Sequence, residues 1–71
     1  MTAQEWVSSN FDIDYDILGE PAIDWGNGIY TPVAAFVSMF GIAIEAAIAA
    51  NEDVRAAIRA VDNGRGFASL V

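Results

Sequence analysis

The sequence contains no cysteine, no histidine and no lysine, and its only cations are Arg55, Arg59 and Arg65. Without cysteine, disulfides and thiolate ligands for a metal are excluded. Without histidine and lysine, the chain lacks the commonest proton shuttle, and Ser–His, Cys–His and Schiff-base chemistry are excluded. We therefore expect neither an enzyme nor a cofactor or metal site.

Positive charge is scarce as a consequence. Ten Asp and Glu residues against three Arg give a formal net charge of −7. Such a chain does not offer the basic surface that neutralises phosphates, so nucleic acid is not expected as the main partner. Apolar residues make up 55% of the sequence and charged residues 18%, against roughly 25% charged in ordinary globular domains. This composition is typical of a membrane protein or an assembly subunit.

The longest apolar run covers residues 32–50, PVAAFVSMFGIAIEAAIAA, and its single charged residue is Glu45. About 20 helical residues, each rising ~1.5 Å, span the ~30 Å hydrocarbon core of a bilayer. The run therefore predicts a hydrophobic helix that is long enough to cross a membrane.

Local signals place the ends of this helix. Thr31 fits the N-cap and Pro32 the first helical position, where its missing N–H costs nothing. Asn63–Gly64 predicts the C-terminal stop. We predict a mainly α fold with one long helix over residues 32–62, which is apolar up to residue 50 and amphipathic beyond it, and a tail over residues 63–71.

Residues 1–30 are predicted to form an acidic arm in front of the helix. Thr2 and Glu5 have the spacing of a capping box, which predicts a short helix from residue 3. Residues 11–18, FDIDYDIL, alternate apolar and acidic side chains, which is the period of a strand. The apolar residues expected in strand pairing are Phe11, Ile13, Tyr15 and Ile17.

One stripe of the predicted helix combines small residues with Glu45. Small side chains let two helices approach closely, which is how helices associate inside membranes. We therefore expect this stripe to pack against another helix, with Glu45 meeting a hydrogen-bond donor there. The predicted helix-packing residues are Ala34, Ser38, Gly41, Glu45 and Ala49.

The residues that flank the apolar run predict an orientation in the membrane. All three arginines follow the run, so the positive-inside rule places the C-terminus in the cytoplasm and the N-terminus outside. Trp25 and Tyr30 precede the run, where aromatic residues anchor helices at the membrane interface. The predicted localisation is a membrane crossed once, and the alternative is a soluble assembly.

The function we expect is that of a small non-catalytic structural or assembly subunit. Its helix would lie in a larger membrane complex or self-assemble into an oligomer. The acidic arm, apolar middle and arginine-bearing end resemble the layout of the major coat proteins of filamentous phages, which implies a coat or filament-type protein.

Two alternatives remain open. The first is a soluble homo-oligomeric helical interaction protein. The second is a modified precursor peptide, because residues 11–14, FDID, resemble the leader box of lanthipeptide precursors. Lanthionine rings themselves are excluded by the lack of cysteine.

Overall fold

Over residues 1–62 and 64–71, which the structure describes, the computed structural model contains three helices and one three-stranded antiparallel sheet. The helices and the sheet pack around one hydrophobic core. In chain order the elements are α1 (Ala3–Asn10), β1 (Ile13–Tyr15), β2 (Pro21–Gly26), β3 (Ile29–Pro32), α2 (Val33–Ala49) and α3 (Val54–Val61).

The prediction of one long hydrophobic helix over residues 32–62 is wrong. The segment forms two helices, and within the described residues no helix has both the length and the apolar character that crossing a membrane requires. The predicted single-pass membrane localisation and its orientation are therefore wrong as well. Asn63, which was predicted to help stop the helix, lies outside the described residues.

Asn51 causes the break between α2 and α3. Its φ of 56° is left-handed, a conformation that asparagine tolerates better than most residues. The Asn51 N–H donates to the Ile48 carbonyl at 3.1 Å, and the Glu52 N–H donates to the Ala47 carbonyl at 2.9 Å. This pair of hydrogen bonds is the Schellman motif, which satisfies the last carbonyls of α2.

Different capping interactions fix the starts of α1 and α3. At α1, the Thr2 hydroxyl accepts from the Glu5 N–H at 3.2 Å, and the Glu5 carboxylate accepts from the Thr2 N–H at 2.8 Å. These contacts, the one with the Thr2 backbone above all, lower the pKa of Glu5. At α3, the Asp53 carboxylate accepts from the Ala56 N–H at 3.2 Å.

Thr31 does not cap α2, contrary to the prediction. It lies in β3 opposite Ile23, and its hydroxyl accepts a hydrogen bond from the Trp25 indole N–H at 2.8 Å. Pro32 is the N-cap residue instead, without a side-chain hydrogen bond. Strand pairing has therefore overridden the local capping preference of threonine.

The sheet places its strands in the order β1-β2-β3. Ile13 and Thr31 both pair with Ile23, so these three residues share one face, and Ile23 is fully buried in the core. Asn27 and Gly28 join β2 to β3, and both have positive φ. Positive φ at two central residues is what a type I′ hairpin requires, and its twist matches that of the strands.

The core is built on one face of α2. Its five buried residues recur at spacings of three and four, as expected for an amphipathic helix, and they are Val33, Phe36, Phe40, Ile44 and Ala47. They pack with the buried residues of the other elements, which include Trp6, Val7, Ile23 and Ile58. The large apolar side chains of residues 32–50 are therefore buried or half-buried in the protein's own fold, with the exception of Ile42, which is exposed.

The C-terminal segment folds back onto this core. The buried Asp62 carboxylate accepts from the backbone N–H groups of Arg65 at 3.2 Å and Ala68 at 2.6 Å. The turn held in this way brings the Phe67 ring to 5.5 Å from the Phe40 ring. A single carboxylate thus connects the end of α3 to the aromatic part of the core.

The helix break makes a prediction for Asn51. Replacing it with valine forces a β-branched residue into the left-handed conformation, which we expect to lower the free energy of unfolding by about 1–2 kcal/mol. Asn51→Gly is the matched control, because glycine adopts this conformation freely and should leave stability equal or higher. Urea denaturation followed by circular dichroism checks both variants. A valine variant as stable as the unchanged chain would contradict the claim that the left-handed conformation of Asn51 causes the helix break.

Candidate functional site

The side of α2 that faces away from the core is apolar although it is exposed. A surface helix ordinarily carries charged and polar residues on this side. Here the seven exposed residues include one carboxylate and one hydroxyl, and the rest are aliphatic. We name this surface the α2 outer face, and its residues are Ala34, Ala35, Ser38, Ile42, Glu45, Ala46 and Ala49.

Ile42 is the one large apolar side chain on the α2 outer face, and it is 91% exposed. It lies one residue from the middle of α2, whose bounds are Val33–Ala49. The positions one and two turns away on the same side hold small residues, namely Ala35, Ser38, Ala46 and Ala49. A bulky side chain with small neighbours supplies both the knob and the hole of a helix–helix contact.

The predicted stripe of small residues runs along the edge of this face, and its centre packs within the chain. A Cβ atom at Gly41 would lie 3.7 Å from the Cβ atom of Ala3 and 3.3 Å from a methyl group of Val37. The Glu45 carboxylate accepts a hydrogen bond from the Ala3 N–H at 2.9 Å. Gly41 and Glu45 therefore hold α2 against the start of α1.

Glu45 also satisfies one of the orphan N–H groups of α1 and places negative charge at the positive end of its dipole. The rest of the predicted helix-packing residues are exposed, namely Ala34, Ser38 and Ala49. A role for these residues in contacts between molecules stays a prediction.

Trp25 and Tyr30, the predicted membrane-interface anchors, lie at different depths. Trp25 is half-buried, and its ring centroid is 5.1 Å from that of Phe11. Tyr30 is exposed on β3. The membrane-spanning helix that gave these two residues their predicted role is absent from the described part of the chain.

The predicted strand-pairing residues divide among three environments. Ile13 and Tyr15 lie in β1, which pairs with β2 of the same chain. Phe11 precedes β1 and joins the aromatic rings of the core. Ile17 lies in the turn after β1 and is exposed. Pairing of this segment with another molecule stays a prediction.

Arg55 is committed to contacts within the fold. Its guanidinium lies 4.9 Å from the Phe11 ring centroid and 5.9 Å from that of Trp6. It also donates hydrogen bonds to the carbonyls of Asn10 and Val71, both at 3.1 Å. Arg55 therefore ties α3 to the end of α1 and to the C-terminal residue.

No protein-family model matches the chain, and neither a curated protein nor a solved structure is significantly similar to it. Across residues 1–62 and 64–71, no group of three or more His, Cys, Asp or Glu side chains has the arrangement of a metal site.

Sequence reasoning missed Ile42 as a candidate site residue. The signal was present, because the core positions Phe36, Phe40 and Ile44 define one side of the helix and Ile42 projects to the opposite side. An isoleucine opposite a complete core stripe is unexplained by the fold of a single chain. A helix in lipid carries apolar side chains on every side. The predicted membrane helix therefore gave no reason to single out Ile42.

The contact between Glu45 and α1 predicts a loss of stability in Glu45→Ala. Removing the acceptor leaves the Ala3 N–H without a partner near a helix start, which we expect to lower the free energy of unfolding by about 1 kcal/mol. Glu52→Ala removes the same charge at an exposed position and should change stability by less than ~0.5 kcal/mol. Chemical denaturation of both variants checks this. Equal effects would contradict the capping role.

Proposed function

We propose that this chain is a small non-catalytic assembly subunit that pairs with a second copy of itself through the α2 outer face. The observation that carries the proposal is the exposure of Ile42, at 91%, in the middle of a helix face with a single charged residue. The core positions of α2 are filled from its opposite side. Ile42 therefore has no packing role within one chain.

Burial supplies the driving force for pairing. Covering a fully exposed isoleucine contributes about 1.5–3 kcal/mol, and a two-fold contact covers one in each copy. The small residues around Ile42 let the two helix backbones approach closely, so dispersion contacts add to this burial. Nothing on the α2 outer face except Glu45 carries a charge that would have to be desolvated.

The charge distribution favours a second copy as the occupant. With a net charge of −7, two copies that met through most other surfaces would bring carboxylates together. On the α2 outer face, the Glu45 carboxylate is already engaged by the Ala3 N–H at 2.9 Å. Contact through this face therefore brings together one carboxylate from each copy, and this causes less like-charge repulsion than contact through the acidic hairpin would.

The position of Ile42 indicates how the two copies would be arranged. A two-fold axis relates identical patches, so each residue of one copy meets the symmetry-related residue or its neighbours in the other. Because Ile42 lies near the middle of α2, an antiparallel crossing brings both copies of Ile42 next to the axis. Each would then pack among the small residues of the other helix.

The contact is small, and this limits its strength. Seventeen helical residues extend over ~26 Å, and one pair of helix faces buries less than the ~1,600 Å² of a standard interface. We therefore expect reversible pairing with a Kd in the micromolar range or weaker.

Analytical ultracentrifugation over a wide concentration range tests this function. We expect a reversible monomer–dimer equilibrium for the unchanged chain and a Kd at least ~10-fold weaker for Ile42→Asp, because the variant places an acid beside the two-fold axis. Ile17→Asp is the matched control, since it makes the same change at another fully exposed isoleucine. This control should leave the Kd unchanged.

Two outcomes would contradict the proposal. One is a monomer at every concentration, and the other is a dimer that Ile42→Asp leaves intact. Gly41→Leu is unsuitable for this test, because Gly41 packs against Ala3 of the same chain and its replacement would disturb the fold as well as the dimer.

A further inference from the structure

The turn between β1 and β2 exposes more apolar surface than the fold requires. Ile17 is 100% exposed and Leu18 is 81% exposed. Turns ordinarily carry Gly, Asn, Asp, Ser or Pro, whose backbone preferences suit them. We name the exposed surface formed by Tyr15, Ile17, Leu18 and Tyr30 the hairpin tip.

The turn that carries the hairpin tip is held by hydrogen bonds to Asp16. Its carboxylate Oδ1 accepts from the N–H groups of Leu18 and Glu20, each at 2.9 Å. Its backbone N–H donates to the Glu20 carbonyl, and its carbonyl accepts from the Gly19 N–H, again at 2.9 Å. Gly19 completes the turn with a φ of 80°.

This hydrogen bonding fixes the backbone that presents Ile17 and Leu18 to solvent. A surface that is already ordered loses less conformational entropy when it binds a partner. Two aliphatic side chains on such a turn have the properties of an interface anchor, which fills a partner's pocket and excludes water there.

Beside the anchor, the hairpin tip contains a shallow depression of about 350 Å³. Its lining residues are Tyr15, Tyr30, Ile17, Asp14 and Asp16. Asp14 Oδ1 accepts from the Tyr15 N–H at 2.8 Å. Within the described part of the chain, the Oδ2 atoms of Asp14 and Asp16 make no hydrogen bond.

The depression offers two features that bind a cationic side chain. Aromatic faces attract Arg and Lys cations, and carboxylate oxygens form charge-assisted hydrogen bonds with them. The charge of the surrounding sequence also favours a cationic ligand, since residues 1–54 contain no arginine and no lysine. The acids of the hairpin and its neighbouring strands are Asp12, Asp14, Asp16, Glu20 and Asp24.

We propose that the hairpin tip docks a basic segment of another protein. An Arg or Lys side chain of that segment enters the depression between Tyr15 and Tyr30, and a neighbouring apolar side chain packs on Ile17 and Leu18. The acidic surroundings disfavour a second copy of this chain and an anionic bilayer, since both would bring negative charge against negative charge. The hairpin tip shares no residue with the α2 outer face, although Asp16 lines one cavity together with Ala34 and Ser38 of that face. Docking at the tip does not depend on pairing of the α2 outer face.

A peptide with three arginines alternating with three leucines serves as the probe. Titrated into the ¹⁵N-labelled protein, it should produce saturable chemical-shift changes at residues 14–18 and at Tyr30. The same peptide with glutamates in place of arginines should produce none, because both its charge and that of the tip are negative.

Two double variants separate the site from the net charge of the protein. Asp14→Asn with Asp16→Asn removes two charges while each amide oxygen still accepts the turn hydrogen bonds. Glu52→Gln with Asp53→Asn removes the same charge beyond the far end of α2, where asparagine remains a good N-cap. We expect the first pair to weaken peptide binding about tenfold and the second less than ~twofold.

A variant of the apolar anchor completes the test. Ile17→Ser with Leu18→Ser should weaken binding of the arginine–leucine peptide severalfold and leave the free energy of unfolding unchanged, since both side chains are exposed. Equal weakening by the two charge variants would overturn the proposal, because it would show attraction by net charge alone. Chemical-shift changes outside the hairpin tip would also overturn the proposal. Retention on phosphatidylcholine vesicles without peptide binding would overturn it as well, because it would identify a lipid surface as the occupant.

Discussion

Packing around the Phe36 side chain is the interaction on which the rest of the structure depends. Its ring centroid lies 4.8 Å from that of Phe40, 5.8 Å from those of Phe11 and Phe67, and 6.0 Å from that of Trp25. These rings come from α2, the segment before β1, the C-terminal segment and β2. One buried side chain thus joins four parts of the chain, and each such aromatic pair adds about 0.5–1.5 kcal/mol beyond its buried area.

Because one face of α2 packs into this core, the opposite face stays exposed. A chain of 71 residues buries a smaller share of its surface than a larger domain, and here Ile42 stays 91% exposed. The two apolar surfaces that remain differ in charge. The α2 outer face is nearly neutral and suits a copy of itself, whereas the hairpin tip is bordered by carboxylates and suits a basic partner.

Local sequence signals predicted the helix start at Thr2 and Glu5 and the strand period around β1, but they did not predict the fold. Hydropathy counts apolar residues without showing what covers them, so a core helix and a membrane helix look alike in residues 32–50. The helix break at Asn51 lacks the Gly or Pro that usually indicates the end of a helix. Asn51 can nevertheless end α2, and Asp53 can cap the start of α3. The pairing of β2 with β3 was missed despite Gly26–Gly28, because short strands depend on contacts distant in sequence. The helical spacing of Phe36, Phe40 and Ile44 already places Ile42 opposite the core, whereas the exposure of the hairpin tip follows only from packing.

Amide hydrogen exchange measured by NMR tests the packing around Phe36 most directly. If the aromatic rings hold helix and sheet together, the slowest amides of α2 and the Ile23 amide of the sheet exchange with the same opening free energy, equal to that of global unfolding. Phe36→Ala should then lower both together, by about 3–5 kcal/mol. Rapid exchange at Ile23 while α2 stays protected would show that the sheet is held independently, and would contradict the central role of Phe36.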